Sequence, residues 1–267
     1  MSFILVEKPR PHVTLITLNR PERMNAMAFD VMVPLRKTLE AVRDDNDCRV
    51  VILTGAGEGF CSGADLENAG IPPNIAGLTL TTIAQRSMEL LDDVIVTISK
   101  LHQPVIAAVN GAAVGGGFCL AMAADIRVAA PTAYFRAAGI NNGLTASELG
   151  ISYLLPRAIG SSRAFDIMLT GRDVLADEAD RIGLVSHIAA DGALLEDCYG
   201  IAERMIGFSR IGSELTKRML WSSLDAGSLR SHMDHEGTAQ LYVRLTTQNF
   251  QEAITARKEK RAPVFRD

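Results

Sequence analysis

Long apolar runs are missing from this chain. None approaches the roughly 18 residues that a membrane-spanning helix needs, so no membrane segment is expected. Cysteine is scarce: Cys48, Cys61, Cys119 and Cys198 are the four present, and none forms a C-x-x-C pair. A chain of 267 residues can bury most of its unfolded surface without staples, so free thiols in a reducing compartment are expected rather than a disulfide framework. Positive charge is also short, with a net charge of −4. Basic residues gather only at Arg257, Lys258, Lys260 and Arg261, which read as a solvated helix face, and no nucleic-acid partner is expected. The first ten residues lack the apolar core of a signal peptide, which makes a cytoplasmic protein the expectation.

Several catalytic signatures are absent too. There is no G-x-G-x-x-G dinucleotide fingerprint, no G-x-x-x-x-G-K-[ST] phosphate loop and no G-x-S-x-G nucleophile elbow. His102, His187, His232 and His235 are too scattered for a triad. The H-x-x-H at His232 and His235 is not a zinc spacing and reads as a wet helix face, so no metal is expected.

What is present is an ordinary globular balance, 48% hydrophobic and 22% charged, long enough for one large α/β domain with a helical appendage. Residues 3–6 and 13–18 are β-prone and predict a hairpin across Pro9–Pro11. Residues 49–54 and 104–109 are continuous apolar runs, the pattern of strands buried on both faces, and 126–129 reads as a third such strand. Helical spacing covers 29–43, 83–100 and 116–124, so strands and helices alternate as in right-handed βαβ units of a mainly parallel sheet. Beyond residue 161 the pattern turns helical, over 161–169, 176–181, 194–206, 213–221 and 233–257, with a short strand at 185–188. This predicts a core over residues 1–195 and a helical region over 196–267 that serves assembly.

Two loops rich in small residues follow the buried strands: Gly59-Phe60-Cys61-Ser62-Gly63-Ala64-Asp65-Leu66 and Asn110-Gly111-Ala112-Ala113-Val114-Gly115-Gly116-Gly117-Phe118. Glycine permits close backbone approach to a ligand, and the free N–H groups that open the next helix favour negative charge. Two such donors from different loops can hold an enolate or a tetrahedral oxyanion. Tight helix–sheet packing is the competing explanation of the glycines.

Asn19-Arg20-Pro21-Glu22-Arg23-Met24-Asn25-Ala26-Met27 resembles the N-R-P-x-x-x-N-A segment of the crotonase (enoyl-CoA hydratase/isomerase) superfamily. Further segments are similar to that family in the same order. They are the F-x-x-G-A-D-L loop at 60–66, the stretch from Pro104 to Asp125, Leu169-Thr170-Gly171-Arg172, the 178–185 segment, and Lys260-Arg261-Ala262-Pro263-Val264-Phe265. The resemblance implies an α/β fold of repeated ββα units in a spiral core, with a C-terminal helical trimerisation region and a homotrimer or homohexamer. It implies an acyl-CoA substrate, with coenzyme A part of the substrate and no separate cofactor. The N–H groups of Ala64 and Gly116 would form the oxyanion hole. Coenzyme A would run along Arg23, Met24, Ala26, Ser62, Ala64, Asp65 and Leu66, and Lys260 or Arg261 would reach a phosphate. Asp65 and Asp125 read as structural caps rather than acids.

Hydratases of that family typically carry two glutamates, one two residues after the glycine run and one at the start of the segment after the next strand. Here Cys119 takes the first place, and the second falls near Ala138-Gly139. The nearest acid is in Gly143-Leu144-Thr145-Ala146-Ser147-Glu148-Leu149-Gly150, similar to the G-L-x-x-[DE]-x-G stretch of the family's isomerases with one extra residue. Glu148 is thus the expected acid–base residue. A single carboxylate favours double-bond isomerisation over hydration, because one base can remove a proton at one carbon and return it at another. Thioester hydrolysis, dehalogenation or non-catalytic acyl-CoA binding are the alternatives. Cys119 either lines the acyl-CoA site as a small apolar residue or, with its pKa lowered at the helix start, acts as a nucleophile or an acid.

Overall fold

The alternation of strands and helices is realised as a repeating unit in which each pair of strands feeds two different sheets. The computed structural model describes residues 2–267. Strand β1 (Ile4–Arg10) pairs antiparallel with β2 (Val13–Leu18). The turn of this hairpin is narrower than expected and lies at Pro11-His12, with His12 at φ 63°. Strand β1 runs through Pro9, which is tolerated because β1 is a sheet edge and needs no second ladder there.

A 3-10 turn at Pro21–Arg23 and helix α1 (Phe29–Arg43) lead to β3 (Val50–Gly55), β4 (Gly59–Cys61) and α2 (Leu80–Lys100). The unit recurs as β5 (Val105–Val109), β6 (Ala112–Val114) and α3 (Gly116–Ala123), and again as β7 (Ile126–Ala129), β8 (Tyr134–Arg136) and α4 (Ile151–Ile159). Then come α5 (Ser161–Thr170), β9 (Val174–Leu175), α6 (Ala176–Arg181), β10 (His187–Ile188), α7 (Leu194–Ile206), α8 (Arg210–Ser223), α9 (Leu229–Thr246) and α10 (Asn249–Glu259). The first strand of each unit joins a six-stranded sheet ordered β1-β2-β3-β5-β7-β10, parallel from β2 onward. The second joins a smaller sheet ordered β4-β6-β8-β9.

The continuous apolar runs have the expected cause. In β3, Val51 and Leu53 face one core cluster with α1, α2 and α3, whereas Val50 and Ile52 face a second cluster with Cys198, Ile201 and Ala202 of α7. Both faces of the large sheet are therefore dry, and each fully buried aliphatic side chain there contributes about 1.5–3 kcal/mol. Helix α7 spans the expected boundary at residue 195 and packs on the sheet with the core.

The C-terminal stretch departs from the expected single helix over 233–257. It is two helices, α9 and α10, because Thr247 is extended (φ −126°, ψ 165°) and its Oγ1 accepts from the Asn249 N–H at 3.3 Å, which restarts the chain. Helix α9 has no buried residue, and Leu229, Leu241, Tyr242 and Leu245 are exposed. No described helix is long and apolar enough to cross a membrane.

Candidate active site

The two small-residue loops meet where the chain leaves the small sheet. The β4 loop is fixed by Met27, whose N–H donates to Gly63 O at 2.7 Å and whose carbonyl accepts from the Asp65 N–H at 3.0 Å. These bonds make a parallel bridge that brackets Ala64 and turns the Ala64 N–H to the other side. Gly116 is the first residue of α3, so its N–H has no acceptor within the helix. Neither N–H donates a hydrogen bond among the described residues.

The glycines bring the loops together. A methyl group on Gly63 would lie 2.6 Å from Val114 O and 3.4 Å from Gly116 N, and one on Gly117 would collide with Cys61 O. Gly115 adopts φ 52°, ψ −121°, a conformation open to glycine alone in practice. Packing explains Gly117, while the Gly116 N–H is left without an acceptor, an unused donor where the two loops meet.

Beside the loops lies a cleft of about 250 Å³ lined by Arg23, Met24, Ala26, Ser62, Ala64, Asp65 and Leu66, together with Glu22 and Glu67. All seven residues expected along coenzyme A are gathered in it. Asp65 turns its carboxylate inward, to Arg20 at 2.9 Å and Arg23 at 2.7 Å, and accepts the N–H groups of Asn68 and Glu67. The Arg23 guanidinium holds that carboxyl well below the usual range. Asp65 therefore braces the loop and offers the cleft its main chain. Lys260 caps the end of α10 and is not among the residues lining the cleft; Arg261 is engaged by Glu252 and Glu259.

Glu148 stands next to the second loop: a methyl group on Gly115 would lie 3.2 Å from its Oε1. The carboxylate makes no hydrogen bond or ion pair among the described residues, and burial raises its pKa above the ordinary 4.5. Cys119 is fully buried one turn into α3, and burial, then the charge of Glu148, pushes its thiol well above its usual value. The thiolate needed for a nucleophile is disfavoured there.

The family model described as "Enoyl-CoA hydratase/isomerase" matches residues 10–267. The chain belongs to the enoyl-CoA hydratase/isomerase family, and it is an enzyme of that type. "Probable enoyl-CoA hydratase EchA12" of Mycobacterium tuberculosis is 69% identical over all of this chain and 94% of its own length. A crystal structure of a probable enoyl-CoA hydratase/isomerase from Mycobacterium abscessus superposes with TM-score 0.96 at 68% identity, covering 100% of this chain and 99% of that one. A monofunctional enoyl CoA isomerase from M. smegmatis superposes with TM-score 0.75 at 62% identity, covering 87% and 99%.

Within the enoyl-CoA hydratase/isomerase frame, three residues escaped sequence reasoning. Met27 bridges Ala64, and its Sδ occupies the space that a Gly116 methyl would need. Arg20 is buried against Asp65. Leu149 carries φ 46° directly after Glu148. Arg20 and Met27 lie within the segment Asn19 to Met27, so their presence was visible but their contacts were not. Nothing in the sequence signals the backbone of Leu149.

Proposed function

We propose that this enzyme isomerises the double bond of enoyl-CoA thioesters, with Glu148 as its acid–base residue. The observation that carries this reading is the lone Glu148 carboxylate beside Gly115, with Cys119 and Ala138-Gly139 at the places of the hydratase acids. The thioester oxygen accepts from the Ala64 and Gly116 N–H groups, which lowers the energy of the enolate and acidifies the adjacent carbon. Glu148 takes a proton from C2 of a 3-enoyl thioester, and the electron pair delocalises onto the carbonyl oxygen as a dienolate. The same carboxyl then returns the proton at C4, giving the 2-enoyl product. Coenzyme A lies in the cleft along Arg23, Met24 and Leu66 and arrives with the substrate, so no separate cofactor is required. The bare apolar side chains of α9 support assembly through the C-terminal helices as a homotrimer or homohexamer, in which Lys260 of a neighbouring copy reaches a phosphate.

The test is to offer 2-enoyl-, 3-enoyl- and dienoyl-CoA of several chain lengths to wild type and Glu148→Gln. Shift of a 3-enoyl double bond without net hydration is expected, with loss of about 10²–10⁴-fold in Glu148→Gln, the usual worth of positioned proton transfer. Full activity in Glu148→Gln would overturn the role of Glu148, and net hydration of 2-enoyl-CoA would overturn isomerisation.

A further inference from the structure

Resting on the reading of Glu148 as the acid–base group, we infer that Cys119 is the positioning residue that sets this carboxylate against the oxyanion loop. Its Sγ lies 3.3 Å from Gly115 O and 3.5 Å from Glu148 O. One S–H is thus placed between the carbonyl that precedes the Gly116 donor and the carbonyl of the base itself. Each carbonyl already accepts a backbone N–H, from Cys119 at 3.1 Å and from Ile151 at 3.0 Å respectively. The thiol therefore satisfies no orphan acceptor. It cross-links two segments that are 29 residues apart in sequence.

A second contact fixes the same stretch from the other side. Leu149 is held at φ 46°, a costly conformation for a residue with a branched side chain, which persists only where packing enforces it. Leu149 is buried, and its Cδ1 lies 3.3 Å from where a Gly116 methyl would stand. The Glu148-Leu149 main chain is gripped between the Cys119 thiol and the Gly116 surface. The donor and the base are then registered on each other through Cys119 and Leu149. Burial keeps Cys119 in its thiol form, the form that donates.

Three substitutions separate donor from volume: Cys119→Ser keeps a donor, Cys119→Ala removes it, and Cys119→Val fills the space without one. Two readouts are used, turnover of 3-enoyl-CoA and exchange of the C2 proton of a saturated acyl-CoA in heavy water. Cys119→Ala and Cys119→Val should lose about 10–100-fold in kcat, since misplacing a reacting group by about 1 Å costs on that order. KM should stay within about twofold, and Cys119→Ser should stay within about threefold of wild type on both parameters. The acid limb of the pH profile should move in the Ala and Val variants and not in the Ser variant. In a Glu148→Gln background, Cys119→Ala should cost nothing more, because the two act as one unit. Wild-type kcat in the Ala and Val variants overturns the inference, as does a full additional loss on top of Glu148→Gln. Should Glu148→Gln itself keep wild-type activity, the base assignment falls first, and Cys119 then has no base to position.

Discussion

Nζ of Lys217 lies 2.9 Å from Oδ2 of Asp125, and through that pair helix α8 is fastened to the sheet core. Lys217 is buried and donates further to Gln103 O at 3.0 Å and Ile98 O at 3.3 Å. Asp125 also accepts the Val105 N–H at 2.7 Å and the indole N–H of Trp221, the single tryptophan, at 2.6 Å. It is the structural anchor its position suggested, and it holds a helix from the C-terminal third as well as a strand.

Removing one partner of this pair should be severe. Lys217→Met leaves the half-buried Asp125 carboxylate without its cation, a loss below the about 3–5 kcal/mol of a fully buried pair but well above that of a surface one. Chemical denaturation followed by Trp221 fluorescence should show a lower midpoint and red-shifted native emission. Unchanged emission and midpoint would mean that α8 docks without the pair.

The raised pKa of Glu148 has two consequences of opposite kind. As the proposed base, Glu148 must be ionised to work, so kcat/KM should rise with pH along a limb whose midpoint lies above 4.5. For stability the sign reverses. A carboxyl whose folded pKa is raised favours the fold below its unfolded pKa, and that benefit is lost as pH rises through the folded value. Glu148→Gln should therefore melt higher than wild type at neutral pH, and the gap should close below pH 4.5. Calorimetric melts across pH check this, and an equal gap at all pH values would contradict it.

Asp65 should behave in the opposite sense. Its carboxyl is depressed, first through Arg23, so its stabilisation is complete above 3.8 and fades as pH falls below that value. Asp65→Asn should lower Tm at neutral pH and lose that difference in acid. Because Asp65 braces the loop proposed to hold coenzyme A, KM for the CoA thioester should rise with kcat little changed. A fall in kcat at constant KM would instead place Asp65 in the chemistry.

The oxyanion hole can be tested from the ligand's side. An acyl-CoA analogue with a methylene in place of the thioester carbonyl forfeits two hydrogen bonds of about 1 kcal/mol each, roughly 30-fold in affinity. Titration calorimetry against the matched thioester measures it. Equal affinities would show that Ala64 and Gly116 do not contact the carbonyl.

Much of the large sheet was legible because its strands are covered on both faces: Val50 to Leu53 and Val105 to Val109 are apolar without alternation for that reason. The small sheet was not legible. Strands β4, β6 and β8 are three residues each, too short to show a period; β4 opens on a glycine and β6 is mostly alanine, so neither stands out as a β-prone run. Helix α4 escaped notice because Gly150 and Pro156 interrupt its pattern, yet Pro156 sits within a helix whose Ile151, Leu154, Leu155 and Ile159 are buried. The cleft residues were found through motif resemblance, and the structure explains their grouping by the Met27–Ala64 bridge. The split of the last long helix turns on Thr247, whose extended backbone leaves no compositional trace.

The two donors proposed for the thioester oxygen are main-chain N–H groups, and that has a consequence for how such a protein can change over generations. No codon change short of proline or a disrupted loop deletes a backbone amide, so the activating half of the reaction is inherited almost regardless of drift. The residues proposed to decide the fate of the activated thioester, at 119 and 148, are ordinary side chains open to replacement. A lineage can therefore exchange one reaction for another while never losing its grip on the thioester.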